Sequence, residues 1–225
     1  MGAPVPESRT RLRVGEISVE AAWIEPRGAP AAVVVAHGAG AGIDHAFMAG
    51  FARRLGARDI ASMRFNFPYM QRGRRSPDPE PMLRAACLAA FEAATGRFDV
   101  PVLAAGKSLG GRIASMCVAD GMPAAGLVFL GYPLHPPGKP ERIRDEHLYR
   151  ISAPMLFLEG TRDPFAQPEL LANVLRRLGE RAELHRVEGG DHSFNVRGAK
   201  KPPRDVGAEL ADVAAPFVAR VAEEA

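Results

Sequence analysis

Three short stretches hold residue types that together carry out acyl transfer. Gly106-Lys107-Ser108-Leu109-Gly110-Gly111 offers a hydroxyl in a glycine-flanked turn. Gly160-Thr161-Arg162-Asp163-Pro164 offers a carboxylate, and Glu188-Gly189-Gly190-Asp191-His192-Ser193-Phe194 an imidazole. A serine hydroxyl is a weak nucleophile at neutral pH until a base takes its proton, and that base needs an acid to orient it. Ser108, His192 and Asp163 are therefore candidates for nucleophile, general base then acid, and imidazole orienter. Asp191 competes for the acidic role, but a direct neighbour rarely has the reach to orient the ring beside it. Taken singly, each stretch has a plainer explanation: a packing turn, an Asp-Pro turn and a surface histidine.

Acyl transfer also needs two N–H groups where negative charge develops. The Leu109 amide, directly after the serine, is one candidate. The loop His37-Gly38-Ala39-Gly40-Ala41-Gly42 offers the other, Ala39 ahead of Gly40, with His37 read as a structural residue holding that loop. Neither a P-loop lysine nor a Gly-x-Gly-x-x-Gly spacing makes the loop a phosphate cradle.

These residues need elements to position them. Val100–Ala105 is an apolar run ending at Gly106, and helix-compatible sequence follows from Arg112 to Asp120. A strand that turns straight into a helix through Gly-x-Ser-x-Gly is a nucleophile elbow, and a Cβ at Gly106 or Gly110 is expected to collide with its neighbours. Residues 11–16 and 18–24 alternate as an antiparallel hairpin, and Ala31–Ala36 is a continuous apolar run of a strand buried on both faces. Asp44 is the expected cap for a helix over Phe47–Leu55. Further strands are expected at Ile60–Phe67, Gly126–Leu130, Ala153–Glu159 and Glu183–Val187. Helices are expected at Met82–Thr95, Glu169–Leu178 and Asp205–Glu224, the last kinked at Pro216. Alternation of strand and helix from residue 30 onward calls for a mostly parallel sheet with helices on both faces, and no composition break divides residues 1–225. The serine, aspartate and histidine then all follow strand C-termini, the rim where such sheets bind ligands.

Composition narrows the partners. A net charge of +3 gives no electrostatic case for nucleic acid or a membrane surface. Met1–Arg13 lacks the apolar segment of a secretory signal, and no stretch reaches the roughly 18 apolar residues of a membrane span. Cys87 and Cys117 read as buried free thiols, which points to a reducing cytoplasm. The six histidines show no metal-ligand spacing, so neither a metal nor another cofactor is expected. Arg72, Arg74 and Arg75 lie on a proline-rich loop, expected to be solvated with anion contact as the alternative. Lys107 has no evident purpose, and oligomeric state is not legible.

The chain order serine, aspartate, histidine resembles that of the α/β-hydrolase superfamily, in its dienelactone-hydrolase-like branch. A narrower similarity, to small predicted hydrolases related to a testis-expressed protein and to a subunit of a histone-acetyltransferase (NSL) complex, is carried by motifs spread over residues 30–196. They are His37–Gly40, Arg64–Met70, Gly73–Asp78, Gly106–Arg112, Gly131–His135, Gly160–Pro164 and Asp191–Phe194. The resemblance implies an α/β-hydrolase fold with an eight-stranded sheet and the triad Ser108, Asp163 and His192. Serine stands where dienelactone hydrolases proper have cysteine. Tyr132–Arg150 is too short for a cap domain, so an open site for small or extended esters and thioesters is expected. Gly40, Tyr69, Arg74, Arg75, Tyr132 and His135 are the candidate substrate-binding residues. A catalytically idle interaction module is the competing expectation; it has no need of a complete triad.

Overall fold

The computed structural model describes residues 5–225; residues 1–4, part of the segment read as a non-signal N-terminus, lie outside the described residues. Glu7–Val14 (β1) and Ile17–Ile24 (β2) form the expected hairpin, turning at Gly15, whose φ of 59° suits glycine. The remaining strands are Ala32–Ala36 (β3), Ala61–Phe65 (β4), Val102–Lys107 (β5), Leu127–Leu130 (β6), Met155–Gly160 (β7) and Ala182–Val187 (β8). They make one eight-stranded sheet in the order β1-β2-β4-β3-β5-β6-β7-β8. Pairing is antiparallel from β1 through β2 to β4 and parallel from there on.

Alternate side chains of the central strands enter two separate cores. Val34, Ala104, Phe129 and Phe157 pack toward the helices Glu80–Thr95 (α3), Leu109–Ala119 (α4) and Pro168–Leu178 (α5); α2 is the short helix Pro68–Gln71. Val35, Leu103, Val128 and Leu158 face Ala46–Gly56 (α1) and Pro203–Glu224 (α6). With apolar residues on both faces, β3 is completely buried, which is why its sequence shows no alternation. The β8 edge is half exposed and reads polar-apolar.

Two helices meet backbone to backbone. A Cβ on Gly50 of α1 would lie 2.0 Å from the Arg204 carbonyl oxygen, and one on Gly207 of α6 would lie 2.1 Å from that of Phe47. Only glycine permits that approach, which locks α6 onto α1.

Two local expectations are corrected. His45, not Asp44, caps α1: its Nδ1 accepts the Phe47 amide at 3.3 Å, while the Asp44 carboxylate pairs with Arg9 of β1. The segment after β4 is a turn of helix before it becomes loop, because Pro68 sits in a first turn that needs no proline N–H. The last helix continues through Pro216. The connection between β6 and β7 ends in a short 3-10 turn, Glu146–Arg150, and builds no large cap. Among the described residues no helix is long and apolar enough to cross a membrane.

Candidate active site

The elbow is strained as its glycines imply. Ser108 has φ 50° and ψ −114°, a region L-residues rarely adopt and one that costs about 1–3 kcal/mol. Its amide donates to Leu130 O on β6 at 3.2 Å, fixing the turn against the neighbouring strand. A Cβ on Gly106 would stand 2.2 Å from the Gly111 nitrogen, and one on Gly110 would stand 2.3 Å from Ala36 O of β3. Those two clashes tie both glycines to the turn.

The loops after β7 and β8 bring the other two side chains to the serine. His192 Nε2 lies 2.8 Å from Ser108 Oγ, and His192 Nδ1 lies 2.6 Å from Asp163 Oδ2. Asp163 is fully buried, and its Oδ1 accepts the Phe165 amide at 2.8 Å. A carboxylate so placed accepts from Nδ1–H, leaving Nε2 as the acceptor for the serine hydroxyl. Phe165 stands edge-on to the His192 ring with centroids 4.5 Å apart. Asp191 lies outside the row: its Oδ1 accepts the Ser193 and Asn195 amides at 2.8 and 2.9 Å and shapes the loop.

Lys107 acquires a physical account. Its Nζ donates to the His192 carbonyl oxygen at 2.7 Å and faces the Phe194 ring 5.4 Å from its centroid. Burial lowers its pKa to about 8 against the opposing pull of Glu159, Asp163 and Asp191. Beneath it Glu159 is buried; loss of water drives its pKa well above the usual carboxylate range, although one oxygen accepts the Tyr132 amide. The second oxygen, Oε2, has no partner among the described residues.

Ala39 and Leu109 line a cavity of about 630 Å³ together with Ser108 and His192. Among the described residues neither amide has an acceptor, whereas Gly40 N donates to Tyr69 Oη at 3.3 Å. His37 is buried; its Nδ1 donates to Gly38 O at 2.8 Å and its Nε2 accepts the Phe67 amide at 3.1 Å. Burial lowers its pKa to about 4, which keeps the ring neutral and suits the structural part expected of it.

Most of the candidate substrate-binding residues stand elsewhere. His135 lines the cavity, but Gly40, Tyr69, Arg74, Arg75 and Tyr132 do not. Tyr69 and Tyr132 are sealed in the core, the latter with its hydroxyl on Arg144 O at 3.0 Å. Arg74 and Arg72 turn onto the buried carboxylate of Asp78, and Arg75 is exposed. Two arginines passed over in the sequence reach the cavity instead: Arg112, one turn after the serine on α4, and Arg144. The i, i+4 spacing from Ser108 was a legible signal for Arg112. Among the described residues no three His, Cys, Asp or Glu side chains gather to hold a metal ion.

Residues 29–221 match the family model described as "Alpha/beta hydrolase domain". The fold is similar to a dienelactone hydrolase from Anabaena variabilis, with a TM-score of 0.74 at 19% identity over 96% of this chain and 97% of that one. It is also similar to an α/β serine hydrolase without a lid from Xanthomonas campestris, with a TM-score of 0.73 at 18% identity over 96% and 97% of the two chains. Est1E from Butyrivibrio proteoclasticus, with ferulic acid bound, gives a TM-score of 0.75 at 14% identity over 94% and 99%.

Proposed function

The chain belongs to the alpha/beta hydrolase domain family, and from that premise we propose that it is a serine hydrolase of small or extended esters or thioesters, working through an acyl-enzyme. In this scheme Ser108 Oγ attacks the acyl carbon while His192 Nε2 takes its proton. Asp163 holds the ring and offsets the charge of the imidazolium. The amides of Ala39 and Leu109 receive the oxyanion, Leu109 adding the favourable potential at the start of α4. His192 then protonates the departing alcohol or thiol, leaving an ester on Ser108. Water attacks that ester with His192 again as base, releasing the acid and the free serine.

The observation that carries the proposal is the row Ser108–His192–Asp163, with contacts of 2.8 and 2.6 Å. Further support comes from the short β6–β7 connection, which leaves the cavity uncapped. We read the motifs spread over residues 30–196 as a narrower similarity to testis-expressed and NSL-complex hydrolases, a reading that fits the same scheme. We read residues 1–225 as one domain acting in the cytoplasm, where the buried free thiols Cys87 and Cys117 stay reduced.

Hydrolysis of p-nitrophenyl acetate tests it. Ser108→Ala is expected to lower kcat by about a thousandfold or more, and a fluorophosphonate probe should label Ser108 in the wild type alone. Unchanged turnover in the variant removes the proposal, and a folded wild type that resists labelling favours the idle interaction module.

A further inference from the structure

The cavity over Ser108 is lined by four fixed cations, Lys107, Arg112, Arg144 and Lys200, and by no aspartate or glutamate among the described residues. One of the four is already committed, and another stands in solvent. Lys107 holds the His192 carbonyl oxygen, and Lys200 is exposed at the rim. Arg112 is braced from behind by Glu80, whose Oε2 lies 3.3 Å from Nη2, while its buried Nε has no partner. Arg144 is half-buried, and among the described residues its guanidinium makes no hydrogen bond and no ion pair. Its backbone is nonetheless pinned, since its amide donates to Leu134 O at 2.7 Å. That bond sets Arg144 against the same wall as His135.

His135 adds an independent mark. It lines the cavity while only 2% exposed, and its Nδ1 donates to Pro136 O at 2.8 Å, which leaves Nε2 a buried acceptor with no partner among the described residues. A guanidinium that faces a cavity with no counter-charge beside it offers its donors to an anion. The charges also oppose one another: burial, then the nearby Arg112, disfavours the charged form of Arg144. In the adjoining groove the acidic neighbours are engaged or turned out, Asp145 accepting the Tyr149 hydroxyl and Glu146 exposed.

We propose that Arg112 and Arg144 form an anion subsite beside His135, so that the substrate is an ester or thioester carrying a carboxylate or phosphate at the end away from the scissile bond. This rests on the serine-hydrolase proposal for the reacting end. Planar guanidinium donors match either oxyanion in two-pronged fashion, which an ammonium cannot do. Arg144 and His135 belong to the connection after β6, whereas Phe47 and Met48 of α1 add an apolar part to the lining. A substrate therefore lies across Ser108 with its charge toward that connection.

The test pairs substrates that share the scissile bond and differ in carrying a remote anion: mono(4-nitrophenyl) glutarate against its methyl-capped form, and butyryl-coenzyme A against the butyryl thioester of N-acetylcysteamine. The wild type is expected to prefer at least one charged member by about tenfold in kcat/KM. The first pair reads a carboxylate, the second a phosphate. In Arg144→Gln the preference ratio should fall to near one, and Arg144→Lys should recover part of it. No preference in either pair, or a ratio untouched in Arg144→Gln, overturns the subsite. If no ester or thioester is cleaved, the hydrolase proposal fails separately. The subsite is then judged by calorimetric titration with monomethyl glutarate and with inorganic phosphate: saturable binding lost in Arg144→Gln supports it, and binding of neither overturns it.

Discussion

The Ser108 elbow leaves the centre of the sheet, whereas the loop carrying His192 leaves its edge, and the two are held by different forces. The elbow is wedged between β3, β6 and α4 with no space for one more carbon at Gly106 or Gly110. The histidine loop follows the half-exposed β8 and adds polar contacts to the packing of Gly190 on Gly160 and of buried Phe194: Asp191 on the Ser193 and Asn195 amides, and Lys107 Nζ on the His192 carbonyl. Packing is short-ranged and all-or-none, whereas a set of hydrogen bonds weakens by steps. Ser108 thus rests on the steeper restraint, and His192 on one that is part packing and part graded.

That contrast predicts unequal damage. Gly110→Ala drives a Cβ to within 2.3 Å of a backbone oxygen. It should destabilise by more than about 4 kcal/mol or prevent folding, which denaturant melts and soluble yield would report; a stable, active variant breaks the comparison. Asp163→Asn should leave the melt near wild type yet lower kcat by about a thousandfold, since the Nδ1 acceptor is replaced by an amide that permits the wrong tautomer. Steady-state kinetics beside a thermal melt separates the two.

Acid should loosen the elbow side. The His37 pKa is near 4 when folded against an ordinary 6.5, so between those values the unfolded chain binds a proton the folded one refuses. Stability therefore falls as pH drops, by about 2 kcal/mol from about pH 7 to about pH 5 for this group. His147, also held near 4 by burial and by Arg112 and Arg150, acts in the same direction. Urea titrations at the two pH values check it, with His37→Gln expected to show a flatter dependence. The smallest effect belongs to the histidine loop: Lys107→Met removes one hydrogen bond, and kcat/KM should fall by about tenfold while the protein still folds. A loss as large as that of Asp163→Asn would mean the edge loop is held as rigidly as the elbow.

The sequence made the frame legible because its signals are local. Val33–Val35 read as a strand buried on both faces, and the serine, aspartate and histidine each lie in the connection after a strand. What stayed hidden depends on partners far along the chain. Asp44 has the right chemistry for a cap, but Arg9, 35 residues earlier, captures its carboxylate. Lys107 looked purposeless because its acceptor lies 85 residues later. The arginines show the same limit from the other side. The dense cluster Arg72–Arg75 advertises charge, yet two of its members turn onto Asp78, while the lone Arg144 meets the cavity unpaired. Charge is readable from composition, whereas neutralisation is a property of the fold.

The glycine contacts between α1 and α6 bear on how the protein is born. Phe47 and Met48 lie early in the chain, but the segment that docks on their helix, with Lys200 and Pro203 at its leading end, comes some 150 residues later. A ribosome-bound chain that has already exposed serine, aspartate and histidine therefore still lacks one wall of its pocket. The lining of the cavity over Ser108 is complete only when translation has delivered the start of α6.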